Sequence, residues 1–147
     1  MPKFREIYTD GSANAATKEG GWAFVELDGN NIIVQESGHV KATTSNRMEL
    51  TAMINAIEYY SKLDTPDSFV FCTDSQYVQK GATQWIKSWV KSNWKNGAVM
   101  NIDLWKRYLE VSNTSLSFTI QWVRGHNGVK GNMLADAVAG KAYRNIR

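Results

Sequence analysis

Apolar and polar positions alternate through residues 4–12, with Ile7 set among charged neighbours and Tyr8 against Thr9, and the alternation stops at Asp10-Gly11. A β-branched and aromatic run closed by glycine is a strand led into a turn. Residues 13–19 form a polar loop, and 20–28, with Trp22, Phe24, Val25 and Leu27, is a second strand. Asp28-Gly29-Asn30-Asn31 marks a tight hairpin, because Asp-Gly tolerates positive φ, and 32–41 is the returning strand. From Thr44 the period turns helical, with Leu50, Met53, Ile54, Ile57 and Ser61 three and four apart and Thr43, Thr44, Ser45 and Asn46 available as N-caps. Pro66 breaks the chain before the continuously apolar run 69–74. Such a run belongs inside a sheet, parallel to the first strand, with the helix as crossover. That pairing would bring Asp74 near Asp10.

Residues 75–80 read as a short helix stopped by Gly81, and 84–95 as a second one capped by Thr83. In the second, Trp85, Ile86, Trp89 and Val90 share one face and Lys87, Lys91 and Lys95 recur along another. Asn101 caps a third helix carrying Leu104, Trp105, Tyr108 and Leu109. Leu116, Phe118, Ile120 and Trp122 alternate with polar residues as a half-buried strand. A glycine-bearing loop, 124–131, holds His126, and Asn132 caps a last helix with Leu134, Ala135, Val138 and Ala142 inward. The order β-β-β-α-β-α-α-α-β-α predicts an α/β fold with a mixed five-stranded sheet, three antiparallel strands followed by two parallel additions, flanked by helices.

Bulk properties narrow the class. At 147 residues the chain has the length of one domain, 1–147, able to bury roughly 70% of its unfolded surface. The single cysteine, Cys72, lies in an apolar run and reads as a small buried hydrophobe, which excludes internal disulfides and fits a reducing cytoplasm. The charged residues Lys3, Arg5, Glu6 and Asp10 and the lack of any long apolar run exclude a signal peptide and a membrane span. Net charge is +3, compatible with a polyanionic partner. Of six tryptophans, four cluster at Trp85, Trp89, Trp94 and Trp105. The Lys87, Lys91 and Lys95 stripe is either an ordinary solvated face or, backed by aromatics, a nucleic-acid backbone site. The tryptophans read as core, with Trp85 exempted.

Asp10 and Asp74 close two strands expected to lie side by side, while Glu49 and Asp136 sit on helices. Each acid has an ordinary reading: Asp74 as an N-cap, Glu49 in a capping box with Asn46, Asp136 at the positive end of a helix dipole. Taken together, four elements each place an acid near one edge. Gathered carboxylates repel and resist ionisation, and hard divalent cations such as Mg²⁺ relieve this. Two such ions about 4 Å apart activate water on one side of a phosphodiester and stabilise the leaving oxygen on the other. His126 beside this cluster suits a proton carrier, whereas His39 is a surface residue.

Y-T-D-G-S at 8–12, T-S-N-R-M-E-L at 44–50, T-D-S-Q-Y-V at 73–78, the tryptophan run at 85–94, N-I-D-L-W at 101–105, W-V-R-G-H at 122–126 and N-x3-D at 132–136 resemble, in order and over essentially the whole chain, bacterial-type (type 1) ribonuclease H. The resemblance implies a ribonuclease H-like fold and a monomeric endonuclease that cuts the RNA strand of an RNA/DNA hybrid, leaving 5′-phosphate and 3′-hydroxyl ends. It implies Asp10, Glu49, Asp74 and Asp136 as ligands of two Mg²⁺ ions, with Mn²⁺ as a substitute, and His126 as an aid to proton transfer or product release. By the same resemblance Asn46 and Gln76 contact the hybrid minor groove and Gly11 and Ser12 lie near the RNA backbone. Thr44 and Asn101 hold a DNA phosphate, and Trp85, Lys87, Lys91 and Lys95 belong to a basic protrusion. Three departures stand out: the loop 13–19 lacks the usual Gly/Pro-rich sequence, Ser45 replaces an Asn, and the connection 96–101 is short. They imply weaker, more salt-sensitive hybrid binding. A non-catalytic hybrid-binding module is the alternative, and the complete carboxylate set argues against it.

Overall fold

The computed structural model describes residues 1–125 and 129–144. Five strands, β1 (Phe4–Ala13), β2 (Gly20–Asp28), β3 (Asn31–Val40), β4 (Ser68–Thr73) and β5 (Ser117–Trp122), form one sheet in the order β3-β2-β1-β4-β5. β1 pairs antiparallel with β2 and β2 with β3, while β1–β4 and β4–β5 are parallel. The expected topology is therefore the observed one. β4 is buried almost throughout, as its unbroken apolarity requires of a central strand.

The crossover helix α1 (Ser45–Ser61) buries Leu50, Met53, Ile54, Ile57 and Tyr60 against Ile7, Phe24, Phe69 and Phe71. Each such side chain removed from water contributes about 1.5–3 kcal/mol. The same core takes in Val78 of α2 (Gln76–Lys80), Ile86 of α3 (Ile86–Lys91) and Trp105, Tyr108 and Val111 of α4 (Ile102–Ser112). α5 (Lys130–Arg144) packs on β1, β2 and β3.

Gly81 does not stop a helix. α2 runs on through a wide turn, Gly81–Trp85, directly into α3. The residue is glycine because the fully buried Trp105 lies against it: a Cβ there would stand 2.3 Å from the indole ring. Nor does Thr83 cap α3; its hydroxyl donates back to the Gln79 carbonyl at 2.7 Å. Val90, expected on the apolar face, is 49% exposed.

The helix expected to reach Lys95 ends at Lys91. Asn93, Trp94, Lys95 and Asn96 follow in left-handed backbone with φ from 50° to 58°. Such a conformation costs roughly 1–2 kcal/mol per residue away from glycine. It is held by the Ser92 hydroxyl, which accepts the Lys95 N–H at 3.1 Å, and by Trp94 packed on Trp89 and beneath Lys106. At the other end of the chain α5 starts two residues before Asn132, which lies buried inside the helix rather than capping it. The bond from Met133 N–H to the Val129 carbonyl and the reach of Lys130 to Asn30 fix that earlier start.

Away from Asp10, near the start of β1, Arg5 donates to Glu26 at 2.7 and 2.9 Å and to Asp67 at 3.3 Å, and Tyr60 adds a bond to Glu26 at 2.8 Å. This polar network ties β1, β2 and α1 together.

Candidate active site

The parallel pairing of β1 with β4 runs to Thr9 opposite Thr73, so Asp10 and Asp74 follow as neighbours; β4 ends there, but β1 does not close at Asp10 as expected and continues to Ala13, because β2 goes on pairing with it beyond the end of β4. Glu49 arrives from the second turn of α1. That helix is capped by Thr44, whose hydroxyl accepts the Arg47 N–H at 3.2 Å, so no capping box joins Asn46 to Glu49. Its approach depends on Gly11, where a Cβ would stand 2.2 Å from the Glu49 nitrogen. α2 is capped by Ser75, which accepts the Val78 N–H, and not by Asp74. Trp122 donates its indole N–H to the Asp74 carbonyl at 3.1 Å and so ties the end of β5 to that of β4.

Oxygens of Asp10, Glu49 and Asp74 all lie within 4.8 Å of one another. Asp136, seven residues into α5 and exposed, lies near enough to help raise the Asp10 carboxyl but is not one of the three mutually adjacent acids. Burial, then the charge of Glu49, pushes the Asp10 carboxyl up to about 11. Burial likewise raises Glu49 to about 8, opposed by the bond it accepts from Asp10 and by another from the Gly11 N–H. Both carboxyls are thus pushed above the usual carboxylate range by burial and by the neighbouring acids.

Glu49 Oε2 is buried and has no hydrogen-bond partner among the described residues. An orphaned buried acceptor costs about 1–3 kcal/mol, more when charged. Hard oxygen donors converging from three elements, one of them unsatisfied, fit a divalent cation of the Mg²⁺ type.

His126 lies outside the described residues; its neighbour Gly125 passes directly over Asp74. Gly11 is buried and Ser12 half-buried at the end of β1, while Asn46 and Gln76 are exposed at the first turns of α1 and α2. Asn101 precedes α4 in left-handed backbone with φ 61°, and its side chain does not cap. Instead its Oδ1 accepts from Arg47 Nη1 at 3.3 Å and its Nδ2 donates to the Tyr77 hydroxyl at 3.0 Å. Arg47 also forks onto Asp103 at 2.9 and 2.7 Å. Sequence reasoning passed over Arg47, Tyr77 and Trp122, although all three fall inside the motifs it singled out. Trp85 is 40% exposed and Lys87, Lys91 and Lys95 are exposed, but Lys95 stands on the left-handed turn rather than in line with the other two lysines. Trp89 links Trp85 and Trp94 to Trp105, with ring centroids 6.0, 6.4 and 5.3 Å away. A depression of about 650 Å³, lined by Phe4, Arg5, Glu26, Ile33 and Asp67, contains none of the four acids.

A mixed sheet of this order, with Asp10 and Asp74 side by side on its paired parallel strands and Glu49 brought to them by the crossover helix, defines the ribonuclease H fold with a carboxylate cluster able to hold a cation. The RNase H family model matches residues 2–144. Ribonuclease H of Polynucleobacter asymbioticus is 43% identical over 143 residues, covering 95% of this chain and 90% of that protein. Ribonuclease H of Alcanivorax borkumensis is 42% identical over 144 residues, covering 96% and 92%. Among solved structures, LC9-RNase H1, a type 1 RNase H with the type 2 active-site motif, superposes with a TM-score of 0.83 at 29% identity, covering 99% of this chain and 74% of that one. The chain belongs to the ribonuclease H family, whose members are endonucleases.

Proposed function

We propose that this protein hydrolyses the RNA strand of RNA/DNA hybrids with two Mg²⁺ ions, for which Mn²⁺ can substitute, leaving 5′-phosphate and 3′-hydroxyl ends. The observation that carries this reading is the three-carboxylate cluster of Asp10, Glu49 and Asp74, which includes the unsatisfied Glu49 Oε2. Asp10, Glu49, Asp74 and Asp136 would hold the ions. When bound, the cations supply an activated water and stabilise the leaving oxygen.

The remaining work falls to the chain's own groups. β1 and β4 hold Asp10 and Asp74 rigidly, and the capped start of α1 fixes Glu49 against Gly11. Asp10 and Glu49, both raised by burial, would hold the ions in their ionised forms. His126 delivers a proton to the leaving 3′-oxygen or aids product release. Gly11 and Ser12 lie along the RNA sugar-phosphate, and Asn46 and Gln76 reach the minor groove, where the 2′-hydroxyl distinguishes RNA from DNA. Thr44 and Asn101 seat a phosphate of the DNA strand. Trp85, Lys87, Lys91 and Lys95 grip the hybrid through its backbone charge. The protein acts as a single catalytic domain, 1–147, in monomeric form. The buried Cys72 suits a reducing cytoplasm, and among the described residues no helix is long and apolar enough to cross a membrane.

The test is a 5′-labelled RNA annealed to DNA, incubated with protein in Mg²⁺ or Mn²⁺, with RNA/RNA and DNA/DNA duplexes, EDTA and Asp10→Asn as controls. Cleavage confined to the RNA of the hybrid and lost in both controls is the expected result. Hybrid binding without cleavage in either metal would overturn the catalytic reading in favour of a binding module.

A further inference from the structure

We infer that Tyr77 is a positioning residue for the seat formed by Thr44 and Asn101, presenting the Asn101 carboxamide to the DNA-strand phosphate; this rests on the function proposed above.

Asn101 is the first residue before α4 and has left-handed backbone, a conformation asparagine tolerates. An asparagine there ordinarily turns its side chain onto the helix it precedes. Here the cap is left unmade, and the amide is spanned between two other elements, α1 through Arg47 and α2 through Tyr77. The Tyr77 oxygen also accepts the indole N–H of Trp105 at 2.9 Å, and Trp105 is fully buried. Two N–H donors from one helix region therefore converge on one phenol oxygen, whose ring lies edge-on to the Trp105 ring at 5.7 Å between centroids.

The bonds also decide which way round the amide lies. An amide whose Nδ2 is drawn to Tyr77 must turn Oδ1 the other way, and Arg47 accepts that orientation by donating to it. Nδ2 keeps a second hydrogen to offer a phosphate oxygen. Arg47 itself is committed to Asp103 by both terminal nitrogens, so it cannot hold Asn101 alone. Tyr77 supplies the fixed end of the pair, because its own place is set by a core tryptophan. The Thr44 hydroxyl accepts the backbone N–H of Arg47, so Arg47 is bonded to both members of the seat and Tyr77 to one of them.

Tyr77→Phe removes one oxygen and leaves the ring. The expected result, in steady-state cleavage of the hybrid at fixed salt, is a KM raised about 3- to 10-fold, the worth of one hydrogen bond, with kcat changed less than twofold. Asn101→Ala raises KM at least as much, and the double variant is no worse than Asn101→Ala alone, because Tyr77 acts through Asn101. A thermal melt reports whether Tyr77→Phe is folded. Hybrid affinity measured at low temperature in an Asp10→Asn background reads the same cycle without turnover. An unchanged KM and affinity in Tyr77→Phe, a loss in kcat alone, or effects that multiply in the double variant would overturn the inference. A wild-type protein that does not cleave hybrid sinks the underlying function instead, and cleavage indifferent to Asn101→Ala sinks the phosphate seat and this inference with it.

Discussion

The backbones of Gly11 and Glu49 touch: a Cβ on Gly11 would lie 2.2 Å from the Glu49 nitrogen and 2.2 Å from the Met48 carbonyl carbon. The contact brings the start of α1 against the end of β1, and it is what puts Glu49 beside Asp10. Both colliding atoms are backbone, so no rotamer change relieves the clash. Gly11→Ala should push α1 away and spoil the carboxylate geometry, lowering hybrid cleavage at least about 100-fold, as misplacements near 1 Å do. Steady-state cleavage alongside a circular dichroism melt checks it; a well-folded Gly11→Ala protein with wild-type kcat would show that the approach is dispensable.

Removing an acid should stabilise the metal-free protein. Asp10 and Glu49 are raised in the fold, so the stability tied to their protonated forms is fully present below the ordinary carboxylate range, near pH 4. It is lost as pH rises through about 8 for Glu49 and on towards about 11 for Asp10. In EDTA the melting temperature should fall between pH 5 and 9, and Asp10→Asn should flatten that fall. At pH 8 the variant should melt higher by roughly 4 °C for each kcal/mol of relieved repulsion. Melts across pH with and without chelator decide this, and an identical pH slope in wild type and variant counts against it.

Cation binding must displace protons from the raised Asp10 and Glu49 carboxyls. The apparent Mg²⁺ affinity should therefore rise with pH between 6 and 9, and Mg²⁺ should raise the melting temperature more at pH 8 than at pH 6. Isothermal titration in two buffers of different ionisation enthalpy reads the released proton directly. Binding without proton release would mean the acids are already ionised.

The network around Glu26 is structural and lies apart from the acids. Glu26 is 3% exposed and takes bonds from Arg5 and Tyr60. Glu26→Ala leaves the partly buried Arg5 guanidinium with only its 3.3 Å bond to Asp67 and strips the Tyr60 hydroxyl of its acceptor, so it should cost about 3 kcal/mol, while kcat on hybrid at low temperature stays near wild type. Denaturant unfolding measures the first and turnover the second.

Gly81→Ala tests why that helix contains glycine. The new methyl would stand 2.3 Å from the Trp105 ring, so overpacking should destabilise the fold by about 1–3 kcal/mol. If the glycine were a helix stop, alanine would stabilise the segment through its better propensity, giving the opposite sign in the same unfolding experiment.

By itself the sequence determined the strand order, the crossover helix and three of the acids' elements to within a residue or two at most boundaries. These follow from periodicity, which is local: β4 is continuously apolar because it is central, and α1 repeats at three and four because one face meets the sheet. Asp10 and Asp74 were legible as a pair because parallel pairing fixes which residues of the two strands meet, whereas the continuation of β1 past Asp10 to Ala13 depends on its pairing with β2. What only the tertiary structure decided depends on contacts between distant segments. Gly81 looked like a stop because no local signal announces that Trp105 will lie across it. Asn101 and Asn132 looked like caps because cap propensity is local, yet one side chain went to Tyr77 and Arg47 and the other was buried within α5. The left-handed turn at Asn93–Asn96 rests on Trp94 finding Trp89, and the raised Asp10 and Glu49 carboxyls on a burial that exists only once α1 reaches Gly11.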